Sequence, residues 1–266
     1  MSRINIVQFK LRTVQYSVII LLFSSLSFCA HRPANEPVTS IIEHKLGSSE
    51  LQIYVKRSDK KADHVFVKLH DNEMTSERTA ESILQEYGGS FIMIENNNRR
   101  NVSFRYQNKT YEFDPNRMFT YEGRKQTLEE HSSFHPQAAR ELESFANVIL
   151  SQLEKHNAVI ALHNNSNNSF SIHDYKNKRK NEASEYFVNA NMDPDDFIFT
   201  TNASIYNKLK QQNINAVLQH PNVNDDGSLS VYFAQQNRPY VNVETQHGHL
   251  EEQMRLTRAV LDMVIQ

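Results

Sequence analysis

The stretch from residue 136 to 162 constrains this chain more than any other. Between 136 and 156, apolar residues at Leu142, Phe145, Ala146, Ile149, Leu150 and Leu153 recur at helical spacing, with Pro136 suited to a first turn. Immediately afterwards, Ala158-Val159-Ile160-Ala161-Leu162 is an unbroken apolar run that reads as a strand. The same alternation recurs along the chain. Residues 51–56, 65–69, 91–95, 102–106, 110–113, 214–218, 230–234 and 240–243 read as strands. Residues 75–87, stopping at Gly88-Gly89, read as a helix, as do 203–212 and 250–265. The expectation is an α/β fold: one domain with a central mixed, mostly parallel β-sheet flanked by helices.

Of 266 residues, 29 are Lys or Arg and 31 are Asp or Glu, a formal net charge of −2. Without a concentrated basic face there is no electrostatic footprint for nucleic acid, so no nucleic-acid partner is expected. The chain also lacks a Gly-x-Ser-x-Gly elbow, a phosphate loop and a dinucleotide fingerprint. Serine-hydrolase, nucleotide-driven and redox readings therefore have no local support.

Residues 1–28 carry an export pattern, with Arg3, Lys10 and Arg12 before an apolar core at 17–28 that is short for a membrane span. The only cysteine, Cys29, follows that core. Leu26-Ser27-Phe28-Cys29 resembles a lipoprotein cleavage box apart from the bulky Phe28, and cleavage after Cys29 competes with it. The reading is a signal peptide at 1–28, a linker at 29–40 and a folded domain at 41–266. The expected location is exported: periplasmic, or tethered to the membrane through a lipid on Cys29.

Three expected strands end in a residue able to bind a metal: 65–69 at His70, 158–162 at His163 and 240–243 at Glu244. Glu73 lies three positions after His70. In open α/β sheets the binding crevice lies beyond the carboxyl ends of the strands, where such residues converge if the strands are neighbours. A lone His at a strand end is usually an ordinary polar residue. The combination of His70, Glu73 and His163, however, suits a catalytic Zn2+ that keeps a position for water. Glu244 is then the natural base.

The residues also resemble a family. His70-Asp71-Asn72-Glu73, Asp114-Pro115-Asn116-Arg117-Met118-Phe119, Leu162-His163-Asn164-Asn165 and Glu244 are similar, in order, to motifs of the zinc carboxypeptidase superfamily. Within it they look most like the succinylglutamate desuccinylase and aspartoacylase branch, with H-G-N-E, D-L-N-R-x-F and D-L-H-N. The resemblance implies a zinc-carboxypeptidase-like fold, zinc on His70, Glu73 and His163, and Glu244 as base. It also implies that Asn116 and Arg117 hold a substrate carboxylate, and that an upstream arginine polarises the scissile carbonyl. Arg100 is preferred over Arg105 for that role because it precedes a strand.

Departures from the pattern are Asp71 for Gly, Pro115 for Leu and Ala161 for Asp. Ala161 removes a carboxylate that would back His163.

Other polar residues are assigned in turn. Asn164 or Asn165, beside His163, is placed to reach substrate. His131 and His135 read as a loop before the long helix. His247 and His249 flank Gly248 and are expected to line the pocket or donate to Glu244. The basic run at 176–180 reads as an exposed loop.

The implied activity is hydrolysis of an amide bond in a carboxylate-bearing peptide or an N-acyl amino acid. The rival is a non-catalytic exported binding protein that keeps the fold.

Overall fold

The computed structural model describes residues 36–264. The expected export signal, Cys29 and most of the segment read as linker lie outside the described residues. In chain order the strands are β1 (Val38–Leu46), β2 (Ser49–Arg57), β3 (His64–Lys68), β4 (Ser90–Glu95), β5 (Val102–Tyr106) and β6 (Lys109–Phe113). They continue with β7 (Ala158–Asn165), β8 (Ala183–Phe187), β9 (Phe197–Thr200), β10 (Ala216–Gln219) and β11 (Tyr240–Gln246). The helices are α1 (Met74–Tyr87), α2 (Tyr121–His131), α3 (Pro136–Leu153), α4 (Ala203–Gln211), α5 (Leu229–Gln235) and α6 (Leu250–Val264).

Nine strands form one mixed sheet in the order β1-β2-β4-β3-β7-β11-β9-β10-β8, in whose centre β4, β3, β7 and β11 run parallel to one another. The two-residue period of a strand explains the layering. On β3, Val65 and Val67 pack into one core with Phe145 and Leu142 of α3, while Phe66 packs into a second with Ile83 of α1 and Leu256 of α6. On β7, Val159 and Ala161 face the first core, and Ile160 and Leu162 the second. Both faces of the central strands are thus covered by helices, which is why these strands are apolar throughout.

The expected α/β architecture is the one observed, with local differences. β1 begins at Val38, inside the segment read as linker. Residues 230–234, read as a strand, belong to α5, because Ser228 caps the helix by accepting from the Val231 amide. His131 closes α2 and does not lie in a loop. β7 and β11 run further than their apolar cores, so His163 and Glu244 sit inside strands, not after them.

Because β3, β7 and β11 are adjacent and parallel, their carboxyl ends lie side by side. Register then matters: Glu244 pairs with His163, and Asn242 with Ala161, so Glu244 and His163 emerge on the same face of the sheet. The opposite wall is a short 3-10 turn, Pro115–Arg117, that follows the β5–β6 hairpin. Gly227 locks this turn in place. It has φ +76, a Cβ there would lie 2.3 Å from the Arg117 carbonyl oxygen, and its own carbonyl accepts from the Phe119 amide at 2.9 Å.

Gly227→Ala is therefore expected to destabilise the fold by about 1 to 3 kcal/mol through left-handed strain and the backbone clash. Thermal unfolding of the purified variant checks this, and an unchanged midpoint would contradict the packing described.

Candidate metal centre

His70 leaves the end of β3, Glu73 is the N-cap of α1, and His163 comes from β7; all three are at most 3% exposed. Glu73 does not use its side chain to cap its own helix. It turns instead towards the two imidazoles. His70 Nδ1 lies 2.9 Å from Glu73 Oε1, His163 Nδ1 lies 3.0 Å from Glu73 Oε2, and the two Nδ1 atoms are 3.2 Å apart. Tetrahedral bonds of about 2.0 to 2.1 Å to zinc place donor atoms about 3.3 Å apart, so this triangle has the size a zinc ion requires.

The hydrogen-bonding pattern argues the same way. His70 Nε2 is 2.7 Å from Asp114 Oδ1, which fixes the proton on Nε2 and leaves the Nδ1 lone pair facing Glu73. An imidazole lone pair facing a carboxylate in a buried site is repulsive unless a proton or a cation lies between them. Burial disfavours a charged His70, yet the Glu73 and Asp114 carboxylates outweigh it and raise its pKa. Burial likewise works against Glu73 and Asp114 in ionised form, but the imidazoles hold both well below the usual carboxylate range. The pocket is built for positive charge, and the donor set fits zinc.

The sequence reading placed no carboxylate behind His163, and the structure agrees: its Nε2 is buried without a hydrogen-bond partner among the described residues. The orienting carboxylate acts on His70 alone. Asp114 was legible as part of a motif, but its contact with His70 across 44 residues was not. It also accepts from the Asn116 amide at 2.8 Å, tying the 3-10 turn to the metal ligand.

Around the triangle opens a cavity of about 550 Å³ lined by Arg100, Asn116, Arg117, Glu244 and Tyr240, among others. Arg100 donates to Glu73 Oε1 at 2.9 Å and approaches Asp114 at 3.7 Å. Arg105 is not among the cavity residues; its backbone lies against Ser48 and Ser49. Arg117 holds the carboxylate of Asp226 at 3.2 Å. Glu244 accepts from Asn242 Nδ2 at 3.1 Å, and burial, opposed by His163, raises its pKa.

Two expectations gain detail and one, for His249, needs correction. Asn164 borders the cavity, but its amide is committed elsewhere: Oδ1 accepts from the Ser76 amide at 2.9 Å, and Nδ2 donates to the His163 carbonyl and to Thr245. It pins β7 to α1 and β11. The basic run is largely exposed, as expected, and Lys178 and Arg179 within it also line the cavity. The guanidinium of Arg179 lies 5.0 Å from the Phe170 ring centroid and 2.8 Å from Glu182. His249 bonds to Asp196 at 2.8 Å and not to Glu244, while His247 lines the cavity as expected.

No family model matches the chain, and no curated protein matches it. Among solved structures, an aspartoacylase family protein from Mesorhizobium loti is 13% identical, with a TM-score of 0.44, and 86% of this chain covers 70% of that one. A protein from Shewanella frigidimarina, assigned as a succinylglutamate desuccinylase/aspartoacylase, is 11% identical with a TM-score of 0.41, covering 85% of this chain and 70% of that one. One from Shewanella amazonensis, assigned as a metallopeptidase, is 11% identical with a TM-score of 0.40, covering 86% and 87%. At such identities, chemistry is read from the side chains present here.

Replacing Asp114 by Ala is expected to weaken zinc binding about 10- to 100-fold, the usual cost of losing the carboxylate behind an imidazole ligand. Competition against a chromophoric chelator measures it. Undiminished affinity would show that Asp114 does not orient His70.

Proposed function

We propose that this protein is an exported zinc-dependent hydrolase of amide bonds, acting on a peptide or N-acyl amino acid with a free carboxylate. The observation that carries the reading is the buried triangle of His70, Glu73 and His163 with Glu244 emerging beside His163 from the neighbouring strand. When bound there, zinc would supply Lewis acidity and lower the pKa of water towards about 7.

The chain's own residues divide the remaining work. Arg117, half-exposed and already paired with one carboxylate, holds the substrate carboxylate in place of Asp226, since a guanidinium fork suits that anion. Asn116 stands beside it on the cavity wall. Arg100, reaching over Glu73 with half its surface exposed, donates to the carbonyl oxygen as negative charge develops there. Glu244 takes a proton from the attacking water on its carboxylate and passes it to the leaving nitrogen. Its burial, which raises its pKa, suits a group that must both accept and return a proton.

Peptides with a free C-terminus are favoured over N-acyl amino acids as substrates. The export pattern of residues 1–28 would bring the protein to a compartment where wall-derived peptides are met. A lipid on Cys29 would keep it at the membrane.

Chelation should abolish turnover of carboxylate-bearing peptides and added zinc should restore it. Glu244→Gln is expected to bind zinc normally and to lose about 10²- to 10⁴-fold in kcat. Amidation of the peptide C-terminus should raise KM sharply if Arg117 reads that carboxylate. Full activity in the Gln variant would refute the mechanism, and no turnover across peptides and N-acyl amino acids would favour the binding-protein reading.

A further inference from the structure

Asp71 stands where the resembled motif has glycine, and its surroundings give it a task. The residue is 5% exposed, between the ligands His70 and Glu73 in sequence, yet its carboxylate points away from both. Oδ2 accepts two backbone hydrogen bonds from the turn after β4, from Asn96 N at 2.9 Å and Asn98 N at 2.7 Å. Asn97 and Asn98 in that turn have φ of 52 and 58. The turn aims the amides of Asn96 and Asn98 at one oxygen, an arrangement that suits an anion, and here the anion is the side chain of Asp71.

The other oxygen, Oδ1, accepts from Lys68 Nζ at 3.2 Å, and the same ammonium reaches the Asp71 carbonyl at 3.2 Å and Glu77 Oε2 at 2.5 Å. Lys68 is fully buried at the end of β3, a place where a lysine needs such partners. Asn96 closes the turn from within, its Nδ2 donating to the carbonyls of Arg99 and Asn101. The next side chain out of this turn is Arg100, which crosses to Glu73.

We infer that Asp71, anchored by Lys68, is a positioning residue that holds the 96–101 turn against the metal-ligand segment and so sets Arg100 over the reacting carbonyl. The carboxylate fits because two amide donors and one buried cation converge on it. Arg100 is half-exposed, so its place over Glu73 depends on the turn that carries it. The catalytic part of the inference rests on the hydrolase reading; the structural part does not.

The test uses the zinc-loaded protein. In Asp71→Ala, kcat should fall about 10- to 100-fold with KM changed less than about 2-fold, somewhat less than the loss of an oxyanion donor itself. Zinc content should be unchanged. Combined with Arg100→Ala, the second change should add nothing, because both remove the same contact. Asp71→Asn, which keeps an oxygen for the two amides, should recover most of the loss and also serves if the Ala variant fails to fold. Independently of turnover, the Asn96 and Asn98 amide hydrogens should exchange slowly in the parent and rapidly in Asp71→Ala.

Multiplicative losses in the double variant, loss of zinc, or unchanged exchange would each overturn the proposal. Altered exchange in a protein without any hydrolase activity would leave the anchoring intact and refute only the hydrolase reading.

Discussion

Two imidazoles and a carboxylate are buried together, their ring nitrogens and carboxylate oxygens facing one another at 2.9 to 3.2 Å. Buried groups of this kind are tolerated only with positive charge among them, and the rest of the site follows from that requirement. Asp114 commits the far nitrogen of His70 to a hydrogen bond, so the near one is free to coordinate. Glu73 sits at a helix N-terminus, where the backbone dipole favours a carboxylate, and receives Arg100 as well. Neutralisation comes from several elements at once.

The sheet gathers the side chains that answer this local demand at one end. Parallel neighbours β3, β7 and β11 deliver His70, His163 and Glu244 to one end, and register puts the last two side by side. The opposite wall is chain that wraps over from elsewhere. The 3-10 turn carrying Asn116 and Arg117 is held by Gly227, and the turn carrying Arg100 by Asp71. Precise placement of groups on short turns depends on such anchors, because turns lack the ladders that fix strands.

Much of the scaffold was legible in the sequence because it is apolar in a regular way. The cores of β3, β7 and β11 and the stripes of α1, α3 and α6 could be read directly. What escaped was amphipathic to a lesser degree. β1, an edge strand with Glu43, His44 and Lys45 among its residues, has few fully buried positions. α2 buries little beyond Gly123, Arg124, Thr127 and Leu128 and so shows no clear stripe. The seven residues of α5 include Val231, Tyr232 and Phe233, which suit a strand locally; only the cap and tertiary packing decide otherwise.

Within the site, His70, Glu73, His163 and Glu244 were legible because motif spacing marks them, whereas their supports were not. Asp114 and Asp71 act on partners distant in sequence, and one sequence gives no signal for such contacts. The same holds for Asn164, whose tertiary hydrogen bonds join β7 to α1 and β11. The central claim is coordination by this one triangle, and X-ray absorption at the zinc edge of the loaded protein tests it most directly. The account predicts two imidazole nitrogens and a carboxylate oxygen at about 2.0 to 2.2 Å, with the imidazole signal halved in His163→Ala. A sulfur ligand, an all-oxygen shell, or a spectrum indifferent to that substitution would contradict it.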